Sequence, residues 1–270
     1  MNDAVFTRRW QPAESYKGSP RSCGVYVLHG TGEHCGRYAE LISNLSNAGW
    51  AVGAHDHPGH GQSAGERGSV IPQGVIQAQA AIQIQQFAMD TGAPPVVFGH
   101  SLGGVLAAEM VLTHHLPVAG LILSAPALRP WITTKQRIQL NLLYALMPDH
   151  VKELPGFVEN LTHDAQKLEE IANDDLMHRF KSARLIRWLF DSGARSIELA
   201  PKLAVPALAL IPADDPVIDP ASLREWVQRA PKELVKSHEY EGAFHEMFNE
   251  IPEIREKVTK DTLAWLESLS

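Results

Sequence analysis

Cysteine and long apolar runs are both scarce in this chain of 270 residues. Its two cysteines, Cys23 and Cys35, are too few for the disulfide framework of a small secreted domain. No window approaches the roughly 18 consecutive apolar residues of a membrane-spanning helix. The opening residues, MNDAVFTRRWQPAESYKG, lack the apolar stretch of a signal peptide. We therefore expect a protein of a reducing compartment, either free in the cytoplasm or peripheral at a membrane surface.

The chain also lacks a basic excess, because 24 Lys and Arg residues stand against 31 Asp and Glu residues. A nucleic-acid-binding domain usually carries a basic stripe, so nucleic acid is not expected as a partner. The net charge of −7 also argues against strong electrostatic attachment to anionic lipid. With 44% hydrophobic and 20% charged residues, the composition is that of a globular protein, and the length suits one domain with an insertion.

Short apolar runs alternate with helical patterns in the first half of the chain. The apolar runs occupy 24–30, 51–56, 94–100 and 118–126, and the helical patterns occupy 38–50, 75–91 and 101–115. This alternation indicates βαβ units and a mostly parallel central sheet flanked by helices. The unbroken apolar character of the runs is typical of strands that are covered on both faces.

The alternation stops after Pro126. Residues 127–197 contain helical patterns but no convincing strand. Strand patterns then resume at 205–213 and 233–242, and a last helical pattern follows at 252–269. We therefore predict an α/β core formed by residues 1–126 and 198–270, with a helical cap inserted at 127–197.

The segment GHSLG at 99–103 joins an apolar strand to a helix. In this context G-x-S-x-G is typical of a nucleophile elbow, in which glycines make room for a serine held in a strained turn. The turn also places Ser101 at a helix N-terminus, where free amides favour developing negative charge. The sequence therefore predicts Ser101 as a nucleophile. The alternative is a glycine-rich turn without catalysis.

A serine nucleophile needs a general base and an acid that orients the base. Where a nucleophile elbow is present, the chain order is serine, acid, histidine. His245 precedes the last helical pattern and is the predicted base. The acid should follow the late strand, where Asp214, Asp215 and Asp219 are candidates. Spacing does not separate these three, and any of them could instead cap the next helix.

An oxyanion hole requires two preorganised N–H donors. One is expected to be the backbone amide of Leu102, which follows the nucleophile. The second should come from the loop after an early strand, and we predict the amide of Thr31 in HGTGEH (29–34). The glycines of this loop are expected to let the backbone approach the substrate. An ordinary glycine-rich turn is the alternative.

Several motifs together resemble the monoacylglycerol lipase and lysophospholipase-like group of α/β hydrolases. The core motifs are HGTGEHCGRY (29–38), AHDHPGHGQSAGERG (53–67), GHSLGG (99–104), SAPAL (124–128), PADDPVIDP (212–220) and YEGAFHEMFNE (240–250). Within the insertion, THDAQ (162–166) and NDDLMHRFKSAR (173–184) resemble the cap of that family. The similarity covers most of the chain in the correct order.

This resemblance implies an α/β-hydrolase fold and selects Asp215 as the acid, because a second aspartate, Asp219, follows at the family's spacing. It also assigns the second oxyanion donor to Thr31. By the same resemblance, Glu33 and Arg37 lie near the polar, alcohol-bearing end of the substrate pocket, although a Glu–Arg pair can equally be structural.

We therefore expect a serine hydrolase that cleaves carboxylic esters of single-chain lipids, monoacylglycerol or lysophospholipid, through an acyl-enzyme and without a cofactor. Apolar residues of the cap could line an acyl pocket or touch a membrane or micelle surface transiently. They are Ile138, Leu140, Leu142, Leu143, Leu146, Met147 and Val151. The alternatives are a general carboxylesterase, thioesterase or peptidase of the same fold, or a protein that binds a ligand without turnover.

A metal site is the remaining alternative, because HDHPGH (55–60) superficially resembles a zinc-hydrolase motif. That motif usually carries an aspartate before its third histidine, where this chain has Gly59. HEMFNE (245–250) is not the H-E-x-x-H zinc motif either, since position 249 is asparagine. No metal is therefore expected.

Overall fold

A computed structural model describes residues 5–18, 21–154 and 158–269. Its strands are β1 (Thr7–Trp10), β2 (Val25–Leu28), β3 (Val52–His55), β4 (Val96–His100), β5 (Gly120–Ser124), β6 (Val151–Glu153), β7 (Phe180–Ser182), β8 (Ala207–Pro212) and β9 (Val235–Tyr240). Its α-helices are α1 (Ala39–Asn47), α2 (Val75–Thr91), α3 (Leu102–Leu112), α4 (Thr134–Leu146), α5 (Ala165–Ala172), α6 (Ala183–Leu199), α7 (Pro220–Arg229) and α8 (Pro252–Glu267).

Seven strands form one sheet in the order β1-β3-β2-β4-β5-β8-β9. All neighbouring pairs are parallel except β1 with β3, which is antiparallel. Parallel strands require crossover connections, and helices supply them here. The prediction of a mostly parallel sheet flanked by helices is confirmed.

Successive residues of the central strands point to opposite faces of the sheet, and each face carries its own apolar core. In β4, Val97 belongs to the core that includes residues of α2, α3, α6 and α7. Val96 and Phe98 belong to the core on the other face, which includes residues of α1 and α8. The near-continuous apolar strands of the sequence therefore reflect burial on both sides.

Two features of the described chain differ from the sequence-based expectations. The strand β1 lacks an apolar run because it lies at the sheet edge and is only half buried, so sequence pattern did not reveal it. The expectation of no strand within 127–197 is wrong, since β6 and β7 form a small antiparallel pair. Each has three residues, with Lys152 opposite Lys181, so neither carries a hydrophobic signal.

The helix α6 begins within the predicted cap and ends beyond residue 197. Its buried residues Leu185, Leu189 and Ile197 belong to the core that contains α3. The division between core and cap therefore stays a prediction. Among the described residues, no helix combines the length and apolarity needed to cross a membrane.

Candidate active site

Ser101 lies on the turn between β4 and α3 with a φ of 53° and a ψ of −115°. This is a strained conformation for a residue with a side chain. The neighbouring glycines are required by close backbone contacts: a Cβ on Gly99 would overlap the carbonyl oxygen of Gly103, and one on Gly103 would overlap that of Leu28. The turn therefore has the steric form expected of a nucleophile elbow.

Asp215 follows β8 and His245 follows β9, so both lie at the same edge of the sheet as Ser101, which follows β4. The Nδ1 atom of His245 is 2.7 Å from Oδ2 of Asp215, and both side chains are buried. The ring centroid of His245 is 4.8 Å from that of His100, the residue before Ser101. The fold thus brings the predicted base and acid together beside the elbow.

The carboxylate of Asp215 has three hydrogen-bonding partners. Its Oδ1 accepts from the backbone amides of Val217 (2.7 Å) and Ile218 (3.0 Å), while Oδ2 faces the imidazole. Burial alone would raise the pKa of Asp215, but His245 and these amides outweigh it and lower the pKa. An ionised carboxylate accepts only, so Nδ1 of His245 carries the proton and Nε2 has the free lone pair.

Burial alone would lower the pKa of His245. The charge and hydrogen bond of Asp215 outweigh that effect, with smaller contributions from the carboxylates of Glu246 and Glu33, so the pKa is raised. The site therefore stabilises the imidazolium that a general base forms when it accepts a proton.

The other two candidate acids, Asp214 and Asp219, make hydrogen bonds elsewhere. Asp214 is exposed and accepts the backbone amide of Gly242 at 2.8 Å. Asp219 accepts from the amide of Ala221 at 2.9 Å and caps the N-terminus of α7. Of the three aspartates, Asp215 is the one that contacts His245. The geometry therefore favours Asp215 as the acid, and this assignment stays a prediction.

The loop HGTGEH lies against the elbow. A Cβ built on Gly30 would be 3.1 Å from Cβ of Ser101. The amide of Gly30 donates to Oε1 of Glu33, and its carbonyl oxygen is 2.7 Å from Nδ1 of His29. Because the Gly30 carbonyl and the Thr31 amide share one planar peptide unit, these bonds constrain the Thr31 N–H from its N-terminal side.

The predicted donors of the oxyanion hole are the backbone amides of Thr31 and Leu102. Within the described ranges, neither the Thr31 nor the Leu102 amide donates to a protein acceptor. The φ of Gly32 is 80°, and a Cβ there would overlap the carbonyl oxygen of His178. This glycine therefore lets the chain at His178 approach the loop, while approach of the loop to substrate stays a prediction.

Glu33 and Arg37 form a buried ionic network. Nε of Arg37 is 3.3 Å from Oε2 of Glu33, and its Nη2 donates to Oε2 of Glu246. Tyr38 donates to Glu33 at 2.7 Å. The network joins the loop of Thr31 to the loop of His245. Contact of Glu33 and Arg37 with substrate stays a prediction.

Sequence reasoning missed Glu246 as part of the site. It directly follows His245, and its Oε2 also accepts from Asn249 at 2.9 Å. The motif HEMFNE contains both residues, so a charged neighbour of the base was visible in the sequence. Its partner Arg37 lies 209 residues away, and no local pattern indicates that pairing.

The histidines of HDHPGH are buried and bonded to protein groups. Nδ1 of His55 is 3.0 Å from the Tyr26 hydroxyl, its Nε2 is 3.1 Å from Nδ1 of His57, and Nε2 of His57 is 3.1 Å from the carbonyl oxygen of His29. Burial lowers the pKa of His60 to about 4 and holds those of His55 and His57 well below 6.5. Among the described residues, no group of three or more His, Cys, Asp or Glu side chains could hold a metal ion.

The sequence profile of one family, described as "Serine aminopeptidase, S33", matches residues 19–252. The chain belongs to this family of α/β hydrolases. The predicted α/β-hydrolase fold and the resemblance to monoacylglycerol lipases are confirmed by relatives and solved structures.

Rat monoglyceride lipase is 30% identical over 272 residues, which cover 97% of this chain and 86% of that protein. Monoacylglycerol lipase of Mycolicibacterium smegmatis is 31% identical, with coverage of 91% and 88%. An abhydrolase domain-containing protein of Dictyostelium discoideum is 30% identical over 98% of this chain, but the chain spans only 28% of its length. The crystal structure of Paleococcus ferrophilus monoacylglycerol lipase has a TM-score of 0.85 and 28% identity, covering 99% of this chain and 100% of that one.

Proposed function

We propose that this member of the α/β-hydrolase family hydrolyses carboxylic esters of single-chain lipids, with monoacylglycerol as the first candidate and lysophospholipid as the second. The observation that carries the proposal is the 2.7 Å contact between buried His245 and Asp215 beside the strained turn of Ser101. Hydrogen-bonded acid and base near an elbow serine are the parts that acyl transfer requires. The monoacylglycerol substrate is supported by the names of the relatives.

In the proposed mechanism, Nε2 of His245 takes the proton of Ser101 Oγ while that oxygen attacks the ester carbonyl carbon. The carbonyl π electrons move to oxygen, which accepts hydrogen bonds from the amides of Thr31 and Leu102. Collapse of this intermediate breaks the bond to the alcohol oxygen, and His245 returns the proton to the leaving alcohol. Asp215 keeps the proton on Nδ1 and stabilises the imidazolium.

The second half of the reaction uses water in place of the alcohol. His245 removes a proton from water as the water oxygen attacks the acyl carbon on Ser101. The intermediate then releases the fatty acid, and the proton returns to Ser101 Oγ. The protein itself supplies the nucleophile, the base and the oxyanion donors, so the proposed reaction needs no cofactor.

A lipid substrate is further supported by the exposed face of α4. Ile138, Leu142 and Leu146 repeat every four residues and are 63%, 60% and 71% exposed. Met147, just after α4, is also exposed. Such an apolar stripe is typical of contact with an amphiphile surface. We propose transient contact of the cap with a micelle or membrane surface, and action in the cytoplasm or at the periphery of a membrane.

A panel of substrates tests the proposal. Purified protein is assayed with monooleoylglycerol, lysophosphatidylcholine, p-nitrophenyl esters of increasing acyl length, an acyl thioester and an aminoacyl p-nitroanilide. Ser101→Ala should abolish turnover, while Ser43→Ala, on the exposed face of α1, should leave it intact.

Each outcome separates one alternative. A preference for the anilide would indicate a peptidase, and a preference for short p-nitrophenyl esters or the thioester would indicate a general esterase or thioesterase. Turnover that survives in Ser101→Ala would place the chemistry elsewhere. A wild type that is inert on every substrate would favour ligand binding without turnover.

A further inference from the structure

A segment of the insertion between α5 and α6 is bonded directly to the loop that carries Thr31. Nε2 of His34 is 2.7 Å from Oδ2 of Asp174, and the backbone amide of His178 donates to the carbonyl oxygen of Gly32 at 2.8 Å. Residue 32 must be glycine for this approach, because of its left-handed φ and its contact with His178. The two bonds join stretches of chain about 140 residues apart.

Neighbouring groups determine which partner donates in the hydrogen bond between His34 and Asp174. Nδ1 of His34 accepts from the backbone amide of Gly36 at 3.2 Å, so the proton of a neutral ring lies on Nε2 and points at Asp174. Oδ1 of Asp174 is already occupied by the amide of Leu176 at 2.9 Å. Burial alone would raise the pKa of Asp174, but the bonds from His34 and Leu176 outweigh it and lower the pKa. The contact is therefore a charge-assisted hydrogen bond with one direction.

These bonds constrain Thr31 from its C-terminal side. On the N-terminal side, Gly30 is already held by His29 and Glu33. On the other side, Gly32 is held by His178, and His34 is held by Asp174. The Thr31 amide is the one donor of this loop whose position matters for the proposed chemistry, and an oxyanion donor acts only if it is preorganised.

We propose that Asp174 is a positioning residue for ester hydrolysis: through His34 it holds the 174–178 segment against Gly32 and thereby fixes the Thr31 amide. The inference rests on the proposed function. It goes beyond it by making the segment of the insertion a part of the oxyanion apparatus, so that displacement of this segment loosens the oxyanion hole. The alternative is that the same contacts only attach the insertion to the core.

The neighbouring aspartate provides a matched control. Asp175 is exposed, and its side chain makes no hydrogen bond or ion pair within the described part of the chain. Asp174→Ala should lower kcat about 10-fold with little change in KM, since misplacing one donor costs less than its removal, which costs about 100-fold to 1000-fold. Asp175→Ala, with the same change of charge, should leave both parameters unchanged.

Two substitutions of His34 separate its two hydrogen bonds. An asparagine amide occupies the place of Nδ1, and a glutamine amide occupies the place of Nε2. His34→Gln should therefore keep the bond to Asp174 and most of kcat, whereas His34→Asn should lose it and match Asp174→Ala. The double variant His34→Asn/Asp174→Ala should be no slower than either single variant, because both remove one interaction.

A transition-state analogue distinguishes positioning from attachment. Ser101 Oγ adds to the carbonyl carbon of a trifluoromethyl ketone with a lipid chain, and the resulting oxyanion lies in the oxyanion hole. Its Ki should rise in Asp174→Ala by the factor by which kcat/KM falls, while the Kd for the fatty acid product stays unchanged. Hydrogen exchange of the peptide covering 29–36 should accelerate in Asp174→Ala and not in Asp175→Ala.

The outcomes are distinct for the two proposals. Equal kinetics of the Asp174 and Asp175 variants, or a change confined to KM, would overturn the positioning role while wild-type turnover upholds the proposed function. Equal losses in His34→Asn and His34→Gln would overturn it as well. A wild type without esterase activity would overturn both proposals.

Discussion

Asp215→Asn is the substitution whose effect on the proposed mechanism can be worked out most fully. Oδ1 of Asp215 accepts two backbone amides, Val217 and Ile218, and Oδ2 faces Nδ1 of His245. An asparagine has one oxygen, which the two amides will retain, so its NH2 group will face His245. Nδ1 must then accept, which moves the imidazole proton to Nε2 and removes the lone pair that Ser101 needs.

The expected loss is about 10⁴-fold in kcat, the size found when a triad aspartate is replaced by asparagine in another serine hydrolase. This corresponds to roughly 5 kcal/mol of activation free energy. KM should change little, because the substitution alters the tautomer and not the pocket. The assay is steady-state hydrolysis of a p-nitrophenyl ester, confirmed with monooleoylglycerol.

The adjacent residue serves as the control. Asp214 makes a hydrogen bond to Gly242 and none to His245, so Asp214→Asn should keep kcat within about 2-fold of wild type. An Asp215→Asn protein that retains more than about one tenth of kcat would refute the tautomer argument, given the expected factor. Equal losses in both variants would refute the choice of acid.

The acid limb of kcat/KM should lie above pH 6.5, because the base must be neutral and the pKa of His245 is raised; Glu246→Gln removes one negative charge and should move that limb to lower pH. Gly32→Ala should lower the free energy of unfolding by more than Gly242→Ala: both positions carry a positive φ, which costs about 1–2 kcal/mol, but only at Gly32 does the new methyl meet a backbone atom. Leu142→Gln should weaken binding to phospholipid vesicles and turnover of micellar monoacylglycerol, and leave hydrolysis of a dissolved short-chain ester unchanged.

A pH–rate profile of the Glu246 variant with an unshifted or raised acid limb would contradict the electrostatic argument. Equal denaturation midpoints for the two glycine variants would contradict the steric argument. As a control for Leu142→Gln, Met89→Gln on α2 removes a similarly exposed apolar side chain outside the α4 stripe. An equal loss of vesicle binding in the Met89 variant would contradict a specific contact surface on α4.

Most of the sheet could be predicted because its strands are buried on both faces and read as continuous apolar runs. The helix α2 begins and ends at the predicted residues, since glycines in left-handed conformation flank it at 74 and 92. The strands β1, β6 and β7 could not be predicted, because an edge strand and two three-residue strands bury too little for a hydrophobic pattern.

The candidate site was predictable where chemistry is local and less so where it depends on distant contacts. Ser101 has a steric motif around it, and His245 follows from chain order. Spacing left three aspartates open, and the bond to His245 distinguishes Asp215. Glu246 could be seen beside His245, but its pairing with Arg37, like that of Asp174 with His34, joins residues far apart in the chain, so no sequence window indicates these contacts.

In the proposed mechanism, Ser101 carries the acyl group during turnover. The most direct test is acid quenching during hydrolysis of an activated p-nitrophenyl ester, followed by mass spectrometry of proteolytic peptides. A peptide containing Ser101 should be heavier by one acyl group minus one hydrogen, and no such adduct should form in Ser101→Ala. An adduct on another residue, or turnover at wild-type rate in Ser101→Ala, would contradict this role of Ser101.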